Sequence, residues 1–136
     1  MIRPVSIIQF ERCYLTAFVL GATNTVWTFW EAGVLARGLP IGTLVGTLLG
    51  FAITLSILYF VARQGSAIAR WAAVAFLALG LIGVVVGLVT GYYPKGIHGV
   101  IGIVTTTLQA VSVWLMFRAD AEPWFHSTAG EVAHEA

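Results

Sequence analysis

The sequence predicts an all-α fold, an integral membrane four-helix bundle whose helices run alternately up and down. Two observations support this prediction. Hydrophobic residues make up 59% of the 136 residues and charged residues 10%, against about 25% charged residues in an average globular protein. The apolar residues are gathered in four runs, and a helix needs roughly 20 such residues to cross a bilayer core of about 30 Å. The predicted spans are residues 13–30, 41–62, 71–91 and 97–117.

The orientation is predicted from the basic residues, which are more frequent in cytoplasmic segments. Arg37 and Lys95 lie in the loops at one end of the predicted bundle. The other five basic residues lie at the end that carries both termini, so we expect both termini in the cytoplasm. Residues 1–12 are then a cytoplasmic entry segment, followed by the four-span domain of residues 13–118. The five basic residues are Arg3, Arg12, Arg63, Arg70 and Arg118.

Residues 119–136 are predicted to form a cytoplasmic tail. Trp124 and Phe125 are expected to dock at the membrane interface, where aromatic side chains are enriched. The residues that follow have too little apolar content to fold alone. We therefore expect the tail to be largely mobile after residue 126.

Glycines recur every four residues in the second and third spans. Residues four apart lie on one face of a helix, and in lipid small residues let two helix backbones approach closely. If the chain turns near Gln64 and Gly65, the two glycine stripes lie level with each other in an antiparallel hairpin. We therefore predict helix packing through Gly42, Gly46 and Gly50 against Gly91, Gly87 and Gly83.

Polar residues in the first and fourth spans form a candidate polar seam. The amide of Asn24 cannot be fully satisfied within its own helix, so it is expected to bond to another helix or to contact a ligand or ion. Threonines can bond to their own backbone, but residues 105–107 are three threonines in a row and cover most of the helix circumference. The seam consists of Asn24, Thr25, Thr105, Thr106 and Gln109.

Charged residues at the cytoplasmic edge are candidates for interface ion pairs. Glu11 and Arg12 are adjacent, so their side chains point about 100° apart on a helix and each needs its own partner or water. One interpretation is a solvated boundary. The other pairs Glu11 with Arg63 or Arg70, which the topology puts on the same side. The sequence leaves both open.

The sequence contains no residue set typical of an enzyme, and we expect no catalytic residue, metal or cofactor. The four predicted spans contain no Asp, Glu, Lys or Arg, and His98 is their sole histidine. Proton-coupled carriers need an ionisable group in the membrane, and bis-histidine haem needs two histidines at matched depth. Metal-ligand spacings, phosphate loops and hydrolase triads are missing from the sequence. The net charge of +1 does not indicate a nucleic-acid partner.

Both ends of the chain carry a distinctive pattern. The first is Arg3-Pro4, Ser6-Ile7, Phe10-Glu11-Arg12 and Tyr14-Leu15, with Asn24-Thr25 further on. The second is Leu115-Met116-Phe117-Arg118, with Ala119-Asp120-Ala121 and Trp124-Phe125. These patterns resemble the ends of a group of small uncharacterised four-span bacterial inner-membrane proteins. The resemblance covers roughly the whole length and implies the fold and a multi-pass inner-membrane location, but no activity.

Three functions fit these features. The expected one is a non-enzymatic membrane protein that acts through helix packing, as an accessory or assembly subunit of a larger membrane complex or as a homo-oligomer. The second is a small transporter or channel that uses the polar seam. The third is binding of a lipid, quinone or pigment between helices, with polar contacts from Tyr92, Tyr93 and His98 at the outer edge. The lipid bilayer is a partner in all three.

Overall fold

A computed structural model describes residues 3–38 and 40–126, and these residues form helices and no strand. The helices are α1 (Val5–Glu31), α2 (Val34–Arg37), α3 (Ile41–Gln64), α4 (Ala67–Thr90) and α5 (Ile97–Leu115), with a further helical stretch at residues 122–126. The helices α1, α3, α4 and α5 are long and apolar enough to cross a membrane. The predicted all-helical fold, with four helices of membrane-spanning length and composition, is thus confirmed for the described residues.

The antiparallel arrangement of α1 and α5 gives the bundle two distinct ends. Ser6, in the first turn of α1, contacts Asp120, which follows α5. At the opposite end Glu31, the last residue of α1, contacts His98 near the start of α5. We call these the terminal end and the loop end. Of all helix pairs, α1 and α5 share the most extensive contact.

The connection between α3 and α4 is a tight turn at the predicted position. Gly65 follows the end of α3 with φ of 58°, a left-handed conformation that glycine adopts without a steric penalty. Ser66 then caps α4, because its hydroxyl accepts a hydrogen bond from the backbone N–H of Ala69 at 3.3 Å. Glycine and serine therefore fix the helix end and the next helix start within two residues.

The buried core lies at the terminal end of the bundle. Its members come from all four long helices and from the residues after α5, and they include Ile7, Phe10, Val61, Met116 and Phe125. Elsewhere the helices are more open, since 17% of the most apolar stretch of α3 and 6% of that of α4 are buried within the chain. The helices are therefore held together mainly where the chain starts and ends.

The segments before and after the predicted domain belong to this core. α1 already begins at Val5, so most of the predicted entry segment is helical. Trp124 donates its Nε1–H to the backbone oxygen of Val61 at 3.0 Å, which satisfies one of the free carbonyls in the last turn of α3. Phe125 is 4% exposed. These two aromatic side chains thus pack at the terminal end of the bundle, and their expected docking at the membrane interface stays a prediction. Residues 127–136, expected to be mobile, lie outside the described residues.

The two glycine stripes are not in contact within the chain, contrary to our prediction. A Cβ atom added at most of these glycines would meet nothing within 4 Å. The face of α3 that lines the groove with α4 contains Leu49, Ile53, Ser56 and Phe60 instead, and the groove has a volume of about 610 Å³. Because these larger side chains line the groove with α4, the glycine face of α3 is not the face that meets α4. The five glycines with open space are Gly42, Gly46, Gly50, Gly83 and Gly91.

Candidate functional site: an interior cavity and a loop-end cluster

Three of the five residues of the predicted polar seam lie on one interior cavity. Thr25 of α1 and Thr105 and Gln109 of α5 line this cavity, which has a volume of about 310 Å³, opens to the outside of the bundle and is also walled by residues of α3 and α4. The other two seam residues have different surroundings. Asn24 contacts His98, and Thr106 donates its hydroxyl to the backbone oxygen of Gly102 at 2.9 Å. The structure thus divides the predicted seam between two places.

The polar groups of the cavity differ in whether they have hydrogen-bond partners. Thr25 and Thr54 donate to the backbone oxygens of Gly21 and Gly50, at 2.9 and 2.8 Å, so their hydroxyl protons are used within their own helices. The hydroxyl of Thr105 is buried and has no hydrogen-bond partner among the described residues. Thr105, on the cavity wall, therefore has a buried hydroxyl whose donor is unused.

Aromatic rings form the apolar part of the cavity wall. Phe18 of α1 and Phe51 of α3 meet edge to face, with ring centroids 5.4 Å apart, and Phe76 adds a ring from α4. No charged side chain is among the described residues that line the cavity. This combination of flat apolar surfaces and neutral polar groups suits an uncharged molecule.

Tyr93, in the loop between α4 and α5, contacts glycines of both helices. Its backbone N–H donates to the oxygen of Gly87 at 2.8 Å, and its hydroxyl donates to the oxygen of Gly99 at 3.2 Å. A Cβ atom at Gly102 would lie 2.7 Å from the Tyr93 hydroxyl, and one at Gly87 would lie 3.3 Å from the Tyr93 ring. Of the six glycines predicted to pack helix against helix, Gly87 alone has such a neighbour, and that neighbour is a loop residue.

A second polar cluster joins α1 to α5 at the loop end. The Nε2 atom of His98 lies 2.9 Å from Glu31 Oε2, and its Nδ1 atom lies 2.7 Å from Asn24 Oδ1 and 3.4 Å from Thr28 Oγ1. Trp27 donates its Nε1–H to Glu31 Oε1 at 2.7 Å, and its ring meets that of His98 edge to face at 5.0 Å. We call these five residues the loop-end cluster.

This cluster was not predicted from the sequence, because the first predicted span ends at residue 30. In the structure α1 continues to Glu31, so Asn24, Trp27, Thr28 and Glu31 have the i, i+3, i+4, i+7 spacing of one helix face. This spacing is the sequence pattern that could have predicted the cluster. The ionisable partner of His98 is therefore a residue that we expected in the outer loop.

Glu11, one of the predicted ion-pair residues, has two partners at the terminal end. Its carboxylate lies 2.9 Å from Arg63 and 2.7 Å from Arg3. Of the two alternatives that the sequence left open, the structure therefore has the pairing with the α3–α4 turn. Arg12 is exposed, and no ion pair involving it is found among the described residues.

Arg70, the other arginine of the turn, stacks on aromatic rings instead of pairing with Glu11. Its guanidinium carbon lies 3.9 Å from the centroid of the Phe117 ring and 5.0 Å from that of Phe125. Such cation–π contacts contribute about 0.5–2 kcal/mol each, depending on burial. Arg70 thus connects the start of α4 to the segment that follows α5.

The structure contains no group of three or more His, Cys, Asp or Glu residues that could hold a metal ion within residues 3–38 and 40–126. No known protein family, curated protein or solved structure matches the chain. What the chain does must therefore be inferred from the cavity and the loop-end cluster themselves.

Proposed function

We propose that this chain is a non-enzymatic, multi-pass membrane protein that binds an uncharged small molecule, a lipid, quinone or pigment, in the interior cavity. The observation that supports this function best is the Thr105 hydroxyl, which is buried at the wall of a cavity of about 310 Å³ and has no partner in the described part of the chain. A buried polar group without a hydrogen bond costs roughly 1–3 kcal/mol. A ligand with an acceptor oxygen would remove that cost once the Thr105 side chain turns its hydroxyl towards the cavity.

The cavity wall limits the chemistry of the ligand. Thr105 and Gln109 lie one helical turn apart on α5, so a hydroxyl donor and an amide donor are available on the same face. Phe18, Phe51 and Phe76 supply flat apolar surface. The volume lies at the lower end of the roughly 300–1,000 Å³ typical of ligand sites. A ring-sized group that carries a carbonyl oxygen therefore fits, and a longer apolar tail would have to leave between the helices.

The test compares two glycine variants of α3. Gly50 lines the cavity and Gly46, one turn earlier, does not, while a Cβ atom at either position meets nothing within 4 Å. Each protein is purified gently from its native membrane, and bound molecules are identified by native mass spectrometry and solvent extraction. We expect the parent and Gly46→Leu to retain one small molecule per chain and Gly50→Leu to lose it. Equal retention in both variants, or a parent that retains nothing, would contradict the proposal.

Helix packing against another chain is a second candidate, in which the protein is an accessory or assembly subunit or a homo-oligomer. It is supported by the open space at the glycines of α3 and α4 and by the small buried fraction of both helices. Another helix could approach these faces closely. We expect Gly42→Leu and Gly83→Leu to dissociate the assembly in native mass spectrometry and Leu88→Ala, an exposed α4 control, to keep it. A parent chain that is monomeric in its own lipids would count against this function.

We propose the bacterial inner membrane as the location, with both termini in the cytoplasm. The support is the resemblance described above and the excess of basic residues at the terminal end. Reporter fusions after residues 38 and 136 test the sidedness, since the two junctions should report opposite compartments. Transport through a continuous polar seam is not proposed, because Asn24 and Thr106 bond elsewhere.

A further inference from the structure

We infer that His98 binds a proton on each of its two ring nitrogens and that the loop-end cluster is a proton-binding site that holds α1 against α5. The inference rests on hydrogen-bond directions alone and does not depend on what occupies the interior cavity. A neutral imidazole has one N–H and one lone pair, whereas the imidazolium has two N–H groups. The partners of the two nitrogens therefore decide between these forms.

On the Nε2 side of the ring the partner is a carboxylate. Glu31 Oε2 lies 2.9 Å from Nε2, while the other oxygen of the same carboxylate accepts the N–H of Trp27 at 2.7 Å. An ionised carboxylate is an acceptor at both oxygens. Nε2 must therefore carry the hydrogen of this contact.

On the Nδ1 side the partners are two oxygens that can only accept. The amide of Asn24 is held in one orientation, because its Nδ2 donates to the backbone oxygen of His98 at 3.3 Å and its Oδ1 then faces Nδ1 at 2.7 Å. The proton of the Thr28 hydroxyl is used on the backbone oxygen of Asn24 at 2.8 Å. What Thr28 presents to Nδ1, 3.4 Å away, is therefore a lone pair. Nδ1 must also carry a hydrogen.

The charges around the site are consistent with an ion pair between the two helices. The His98 side chain is 15% exposed and that of Glu31 is 54% exposed, so the carboxylate is the more water-accessible member of the pair. The other ionisable residues of this end are Arg37 on α2 and Tyr92, Tyr93 and Lys95 on the α4–α5 loop. α3 and α4 have no ionisable residue at the loop end. Glu31 is the one charged group within hydrogen-bonding distance of His98 among the described residues.

Loss of one ring proton would remove the hydrogen bond on one side of the ring. The neutral ring would face either Asn24 Oδ1 or the Glu31 carboxylate with a lone pair, so one of these contacts between α1 and α5 would become repulsive. The bound proton is thus part of the contact between these two helices. The chemical class of the ligand at this site is the proton itself, with Glu31 as its fixed counter-charge.

The test is nitrogen NMR of the ¹⁵N-labelled full chain in phosphatidylcholine nanodiscs. Substituting His126→Gln and His134→Gln leaves His98 as the sole histidine. We expect both ring nitrogens of this parent to be protonated at pH 7.5. Glu31→Gln is expected to lower the ratio of the doubly protonated to the neutral form at least about tenfold, because it removes the nearby opposite charge that favours the charged ring.

Glu122→Gln, at the exposed terminal end, is the matched control and should leave the ratio unchanged. A neutral ring in the parent at pH 7.5, or the same ratio in Glu31→Gln and Glu122→Gln, would overturn the inference. If Glu31→Gln does not fold, Trp27→Phe keeps an aromatic ring and removes one donor to Glu31, and it should raise the ratio, since the freed carboxylate oxygen strengthens the counter-charge. A fall in that variant would equally overturn it.

Discussion

Asp120 caps the first turn of α1 from the other end of the chain, because its Oδ2 accepts a hydrogen bond from the backbone N–H of Ser6 at 3.2 Å. The residue before α1 is Pro4, and it makes no side-chain cap. The first N–H groups of a helix need such acceptors, and a negative charge is favourable at this end of the helix dipole. The segment after α5 therefore supplies a side-chain cap for the start of α1, which Pro4 does not provide.

This contact predicts an acid-sensitive contribution to stability. Hydrogen bonding from Ser6 holds the pKa of Asp120 below its ordinary value. Because the pKa is lower in the folded protein, the contribution is complete above the unfolded value of about 3.9 and is lost as the pH falls through the folded value. We expect Asp120→Ala to melt below the parent at pH 7 and the gap to close below about pH 4. Melting curves from pH 7 to pH 3 measure it. Glu122→Ala should show no such gap, and a constant gap for Asp120→Ala would contradict the prediction.

The packing of Tyr93 against α5 predicts a coupled pair of substitutions. A Cβ atom at Gly102 would lie 2.7 Å from the Tyr93 hydroxyl, so Gly102→Ala should displace it and break its bond to Gly99, at a cost of about 1 kcal/mol. Tyr93→Phe removes that hydroxyl. We therefore expect Gly102→Ala to be about 1 kcal/mol less favourable in the parent than in the Tyr93→Phe protein, as measured by the free energy of unfolding in a double-mutant cycle.

Gly83→Ala on α4 is the control for this cycle, since its Cβ atom meets nothing within 4 Å. Alanine is favoured over glycine inside a helix by roughly 0.5–1 kcal/mol, so this variant should be as stable as the parent or more stable. Equal effects of Gly102→Ala in both backgrounds would show that the hydroxyl is not the group that the new methyl displaces.

The two arginines of the α3–α4 turn should differ in their contribution to stability. Arg63 pairs with Glu11, but its side chain is 53% exposed, and exposed ion pairs contribute about 0–1 kcal/mol. Arg70 stacks on Phe117 and Phe125, where it adds cation–π attraction and packing of its alkyl stem. We expect Arg70→Ala to lower the free energy of unfolding by about 1–3 kcal/mol and Arg63→Ala to lower it by less. The reverse order in chemical unfolding would refute this assignment.

The architecture could be predicted from the sequence because apolar runs of the right length leave few alternatives. The α3–α4 turn could also be predicted, because glycine is favoured at helix C-termini and serine at helix N-caps, as found at Gly65 and Ser66. The predicted contact between the glycine stripes was wrong, because a period of four places glycines on one face without telling which helix that face meets. Gly50, for example, lines the interior cavity with Phe18 of α1.

The candidate sites were predictable only in part for the same reason. Thr25, Thr105 and Gln109 share a cavity as the polar pattern indicated. The sequence also indicated that Asn24 bonds across to another helix, but its partner is 74 residues away. Which residue of α5 bonds to Asn24 depends on the depth at which α1 and α5 meet. A further turn of α1 brings Glu31 into the same site, and no local pattern fixes that length.

Asn24 therefore provides a direct measure of the contact between α1 and α5. It bonds to both the ring and the backbone of His98, at 2.7 and 3.3 Å, and Asn24→Leu keeps similar bulk but removes both bonds. Hydrogen bonds between membrane helices average about 0.6 kcal/mol and reach about 1.7 kcal/mol. We thus expect the variant to lose about 1–3 kcal/mol of unfolding free energy, measured by denaturant titration in mixed micelles. Thr107→Val is the matched control, because the Thr107 hydroxyl bonds to Ile103 of its own helix and should contribute little. Equal stability of the two variants would mean that His98 and Asn24 do not hold α1 to α5.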